Sequence, residues 1–153
     1  MLRAYESVLG WRLLAEGEPV RAEEVDRLLN ADPNMVLRTP CTSFDLVSVP
    51  HELGLDALVV IERADVRVPC VRGLEKVTFL VELGTGQALA DVDFVRVVSG
   101  PDALLTLPPS SNTRWDTPPW LGSSPAMLPL LEATALTHAL QKVARTYRGN
   151  SSR

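Results

Sequence analysis

The amino-acid sequence predicts an α/β (α+β) domain, with a mostly antiparallel or mixed sheet covered by helices. Three observations carry that prediction. Val77, Phe79 and Val81 recur at the two-residue period of a strand. Residues 43–49 form a second apolar run, which stops where Pro50 and His51 can open a helix bearing Leu55, Leu58 and Val59 on one face. Ala133, Leu136, Leu140, Val143 and Tyr147 form the apolar stripe of a long last helix.

The elements come in this order. Leu2, Tyr5 and Leu9 have helical spacing, and Gly10 suits the position just past a helix end. Residues 11–15 read as a strand that Gly17 and Pro19 break. Glu23 and Glu24 suit the first turn of a helix that buries Val25, Leu28 and Leu29. Residues 35–38 form a short strand, Thr39 and Pro40 a break, and residues 43–49 the central strand. A helix over 51–63 succeeds it. Val66, Val68 and Cys70 alternate on a further strand, and Arg72 with Gly73 turns the chain. Strands over 77–82, 92–98 and 103–107 come next; the last two form a hairpin about Ser99, Gly100, Pro101 and Asp102. Residues 84–86 read as a hairpin loop. The proline- and serine-rich stretch 108–125 reads as a structured loop, and residues 108–120 are expected to pack on the domain with Trp115 or Trp120 largely buried. The last helix covers 125–147. One domain over 1–148 and a disordered tail over 149–153 complete the reading.

Composition narrows the function. The chain has 153 residues, 46% of them hydrophobic and 22% charged, as in a globular domain. Its net charge is −4, which argues against a domain built to grip nucleic acid strongly. Basic residues are thirteen arginines and two lysines. No apolar run is long enough to cross a membrane, and the first residues lack a signal-peptide core. A cytoplasmic location without membrane contact is expected. Cys41 and Cys70 have no metal-ligand spacing and read as buried free thiols, with a Cys41–Cys70 bridge the less favoured alternative.

Most chemical motifs are absent. The chain has no Walker-type phosphate loop, no G-x-G-x-x-G, no H-E-x-x-H, no C-x-x-C and no G-x-S-x-G. His138 falls on the polar side of the last helix. His51 opens the central helix, where it either points into a site or serves as an ordinary polar helix start. Asp91 and Asp93 share one face of a strand start, where a third oxygen ligand could complete a Mg²⁺ site. A solvated strand start explains them equally well.

The stretch Phe44-Asp45-Leu46-Val47-Ser48-Val49-Pro50, after strand, helix and strand, resembles the N-terminal domain of bifunctional DNA primase/polymerases, the prim-pol branch of the archaeo-eukaryotic primase superfamily. It resembles small stand-alone actinobacterial members most. The stretch from Arg72 through Lys76 to Phe79 resembles the family's turn, histidine and aromatic strand. The run from Asp91 to Pro108-Pro109-Ser110 resembles its acidic strand and terminal Pro-Pro-Ser. Arg114-Trp115 and Pro118-Pro119 resemble the family's later Arg-Trp and Pro-Pro pairs. The likeness spans residues 1–147 by order of elements.

The resemblance implies a nucleotide site, and the departures imply that its chemistry is lost. Active members hold two Mg²⁺ ions on an Asp-x-Asp, where this chain has Ser48 and Pro50. Lys76 stands at the family's nucleotide-binding histidine, and Asp93 keeps the third acidic position. The expected ligand-binding set is Asp45, Ser48, His51, Arg72, Lys76 and Asp93, with no catalytic residue, no metal and no cofactor. The expected function is a catalytically degenerate module, regulatory or associated with nucleotides or single-stranded DNA, binding weakly. A protein-interaction module or homodimer with nothing in the old cleft is the alternative. An active Mg²⁺-dependent polymerase using Asp45, Asp91 and Asp93 is the third reading.

Overall fold

The computed structural model describes residues 1–120 and 127–151. The order is α1 (Leu2–Ser7), β1 (Leu13–Ala15), β2 (Glu18–Val20), α2 (Ala22–Ala31), β3 (Leu37–Pro50), α3 (His51–Arg63), β4 (Cys70–Arg72), β5 (Lys76–Glu82), β6 (Arg96–Leu107), β7 (Arg114–Thr117) and α4 (Thr137–Ser151). Short 3₁₀ turns occupy Gly86–Leu89 and Ala133–Leu136. The seven strands form one sheet in the order β2-β1-β3-β5-β4-β7, with β6 on the other edge of β3. Every pairing is antiparallel, so the fold is α+β.

Strand alternation sorts side chains to the two faces. Val47 and Val49 of β3, with Val77, Phe79 and Val81 of β5, face Leu53, Ala57 and Ile61 of α3 and Leu140 and Val143 of α4. Phe44 and Leu46 of β3, with Leu80 of β5, face the opposite way. There they meet Tyr5 of α1, Val25 of α2 and Trp11. Five aromatic rings, Tyr5, Trp11, Phe44, Trp115 and Trp120, pack on one another at this end. The Tyr5 hydroxyl donates to Pro108 O at 2.6 Å and accepts from Trp115 Nε1 at 2.9 Å. The proline-rich stretch up to Trp120 therefore packs on the sheet. Both of its tryptophans stay half-buried, and the buried one is Trp11.

Several expectations are corrected. The break at Thr39 and Pro40 is absent: β3 runs unbroken from Leu37 to Pro50. Pro40 lies opposite Leu104, beside register shifts that let a residue without an N–H sit in a strand. The hairpin about residues 99–102 is also absent. Those residues belong to the single strand β6, irregular near Gly100, because β3 pairs with β6 on both sides of the irregularity, at residues 37–41 and 46–48. β5 and β6 flank β3, so residues 84–86 lead into a crossing rather than a hairpin. Of the strand expected over 66–70, only Cys70 belongs to a strand, β4. Asp91 and Asp93 lie in successive turns, not on a strand; Phe94 has φ +67° there.

At the C-terminal end, Pro125 falls outside the described residues. Residues 127–132 are not helical, consistent with Pro129 among them. Leu128 N donates to Pro119 O, and Leu131 O accepts from Glu82 N, so this segment docks on the sheet. Helix α4 then continues through Ser151, into the stretch expected to be a tail.

Gly54 sets how closely α3 approaches β5. A Cβ there would lie within 2.5 Å of Val77 Cγ2 and 3.2 Å of Val49 Cγ2. Alanine favours a helix over glycine by about 1 kcal/mol, but overpacking costs about 1–3 kcal/mol. Gly54→Ala is expected to destabilise the chain, as measured by the midpoint of urea unfolding.

Candidate functional site

The aromatic end covers only part of the sheet face opposite α3 and α4. Over the rest lies an open cleft of about 540 Å³, within the ~300–1,000 Å³ usual for ligand sites. Leu46, Val71 and Leu105 give it an apolar floor. Register builds a polar row across that floor. Ser48 of β3 stands opposite Arg96 of β6 and Thr78 of β5, and Thr78 stands opposite Val71 of β4. Arg96 and Thr78 are thus two strand spacings apart, roughly 10 Å between their Cα atoms. The Ser48 and Thr78 hydroxyls are buried and hydrogen-bonded to each other at 3.0 Å.

Lys76 begins β5 two residues before Thr78 and shares its face. The turn that presents it is braced. Gly73 N donates to Lys76 O at 2.9 Å, and His51 N donates to Glu75 O at 3.0 Å. The carbonyl of Gly73 accepts from His51 Nδ1 at 2.9 Å, which fixes the proton on that nitrogen. His51 therefore supports the cleft rim from the helix and does not enter the cleft. On the opposite rim, Ser110 Oγ accepts from Leu37 N at 2.8 Å and anchors the loop carrying Ser111, Asn112 and Thr113 to the mouth. Lys76 and Arg96 form no ion pair among the described residues, and Glu75 is the one carboxylate lining the cleft.

The other expected site residues lie elsewhere. Asp45 is 2% exposed and lies on the α3 side of the sheet. Its Oδ2 accepts from Gly84 N at 3.0 Å and from Gly86 N at 2.9 Å. A Cβ on Gly86 would approach Val97 Cγ1 to 2.8 Å, so this glycine permits the close contact. Asp45 thus ties the loop after β5 to β3. Arg72 pairs with Asp116 of β7 at 2.6 Å and joins two strands. Asp93 pairs with Arg148 of α4, on the helix side. The structure brings Ser48 and Lys76 together and separates them from Asp45, Arg72 and Asp93. Asp45, Asp91 and Asp93 do not converge, because Asp45 is committed to its loop and the other two border α4.

Sequence reasoning missed Arg96 and Thr78. Their role arises from register, which joins residues 30 and 48 positions from Ser48, and no local pattern encodes it. No protein-family model, curated protein or solved structure matches this chain.

Both cysteines are buried free thiols. Burial, then the Asp45 carboxylate, pushes the Cys41 thiol up to about 11. Burial likewise raises Cys70. A folded state that holds thiol protons more tightly than the unfolded chain loses stability as pH rises. Stability from Cys41 is expected to be intact below about pH 9 and to fall from there towards pH 11, in unfolding scans compared with Cys41→Ala. Asp45→Ala frees two backbone donors and is expected to cost about 1–3 kcal/mol in urea unfolding.

Proposed function

We propose that the cleft over β6, β3 and β5 binds a phosphate-bearing ligand of nucleotide type, without two-metal chemistry. The observation that carries this reading is the pair of cations, Arg96 and Lys76, flanking Thr78 above an apolar floor, with the buried Ser48 hydroxyl hydrogen-bonded to Thr78 behind it. Guanidinium and ammonium groups attract phosphate, hydroxyls can donate to it, and leucines accommodate a base or another flat apolar group. The likeness of residues 43–50 and 72–79 to primase/polymerase sequences points to the same ligand class. In this reading the chain is a degenerate relative of those enzymes that recognises the ligand and leaves it unchanged. Phosphoryl transfer by two metals needs convergent carboxylates, and Ser48 and Pro50 stand where the resemblance would place them. With a net charge of −4, single-stranded DNA would be held weakly and salt-sensitively.

A second reading has one specific observation in its favour. Leu74 is 70% exposed and Leu104 43% exposed, and both line the cleft mouth. Exposed leucines beside a groove suit a protein side chain as well as a base.

Calorimetric titration with ADP in the presence of EDTA separates these readings. Binding is expected without metal, and Lys76→Ala and Arg96→Ala should each weaken it about tenfold, roughly 1.4 kcal/mol. Binding indifferent to both substitutions would remove the cleft as its site. The same protein, given primed template with Mg²⁺ or Mn²⁺, is expected to add no nucleotide. Robust extension lost in Asp93→Ala would restore the polymerase reading.

A further inference from the structure

We infer that the open edge of β6 is a self-association surface, and that its occupant is the same edge of a second copy of this chain. β6 is twelve residues long and pairs with β3 alone. No backbone group of residues 96–106 bonds to any other element among the described residues. Alternate N–H and C=O groups along a strand point to opposite edges, so half of the β6 backbone is directed away from β3. A row of alternating donors and acceptors is matched by an extended chain, and natural edges are usually guarded against one.

The guard on β6 is uneven. Its first half carries Arg96 and the irregular turn of backbone at Gly100, Pro101 and Asp102, with Gly100 at φ +99°. Its second half, Ala103, Leu104, Leu105, Thr106 and Leu107, has no charge and no proline. Leu104 within it is exposed. Ala103 to Thr106 are the unprotected part, and the Leu107 carbonyl beyond them already accepts from Ser110 N.

Their sequence is compatible with antiparallel pairing to itself. A two-fold axis through Leu105 sets Leu104 of one copy against Thr106 of the other, and Ala103 against Leu107. No like charges meet, and Asp102 falls outside the paired residues. An axis perpendicular to the sheet keeps the same face upward in both copies. The two clefts then open to one side, each bordered by its own Leu104 at the seam. This pairing stands independently of what the clefts bind.

Sedimentation equilibrium over a wide concentration range tests it. The weight-average mass is expected to rise from 16.7 kDa towards twice that value. Leu104→Glu combined with Thr106→Glu should hold the mass at one chain, because the register opposes the new carboxylates. An equimolar mixture with Leu104→Lys combined with Thr106→Lys should restore the doubled mass. Amide exchange at residues 103–107 of the unaltered chain should slow as concentration rises, a readout that needs no variant. A mass of one chain at every concentration would overturn the inference. So would a doubled mass in the glutamate variant, unslowed amides in a dimer, or folded variants that fail to pair when mixed.

Discussion

Strand β3 cannot satisfy its backbone without neighbours on both edges, and that demand organises the chain. It spans fourteen residues, and Phe44 to Val49 are buried without interruption. A buried strand must find hydrogen-bond partners for every N–H and C=O. β6 supplies them along one edge at residues 37–41 and 46–48, while β1 and β5 divide the other. Apolar side chains then leave from both faces, so helices α3 and α4 cover one and the aromatic cluster covers part of the other.

The open cleft is a consequence of that incomplete cover. α1, α2 and the proline-rich segment are too short to shield the whole face opposite α3 and α4. Where they stop, the cleft exposes Arg96 and Lys76 beside leucines, and Thr78, bonded to the buried Ser48, lies at its base. The chain braces this region instead of filling it. His51 holds the Lys76 turn from one side, and Ser110 holds the opposing loop from the other. Asp45, from beneath, fixes the segment that carries the chain from β5 towards β6. Residues that look chemical in the sequence therefore divide into two groups: Ser48 and Lys76 at the cleft, and Asp45, His51, Arg72 and Asp93 as supports or ion pairs around it.

Much of the architecture was legible where pattern is local. The alternation of Val77, Phe79 and Val81 marked β5, and the proline before His51 marked the start of α3. The features that were not legible depended on distant partners. Pro40 reads as a break, yet β6 carries the strand past it. Ser99 through Asp102 read as a hairpin turn, yet the pairing of β3 with residues on either side of them, and with Gly100 itself, carries β6 through as one irregular strand. Asp45 reads as a ligand because carboxylates at strand ends often are, but two glycine N–H groups from residues 84 and 86 claim it. Arg96 carried no signal at all, since its place opposite Ser48 arises only when β6 docks.

The proposed recognition chemistry lies at Arg96, Lys76 and Thr78 and not at the acidic positions. Assigned ¹H–¹⁵N NMR spectra recorded during titration with inorganic pyrophosphate in EDTA address it most directly. The account predicts shifts concentrated at Lys76, Thr78, Arg96 and Asn112, growing with ligand and shrinking with salt. Shifts concentrated at Asp91, Asp93 and Arg145, or spread evenly over surface cations, would contradict it.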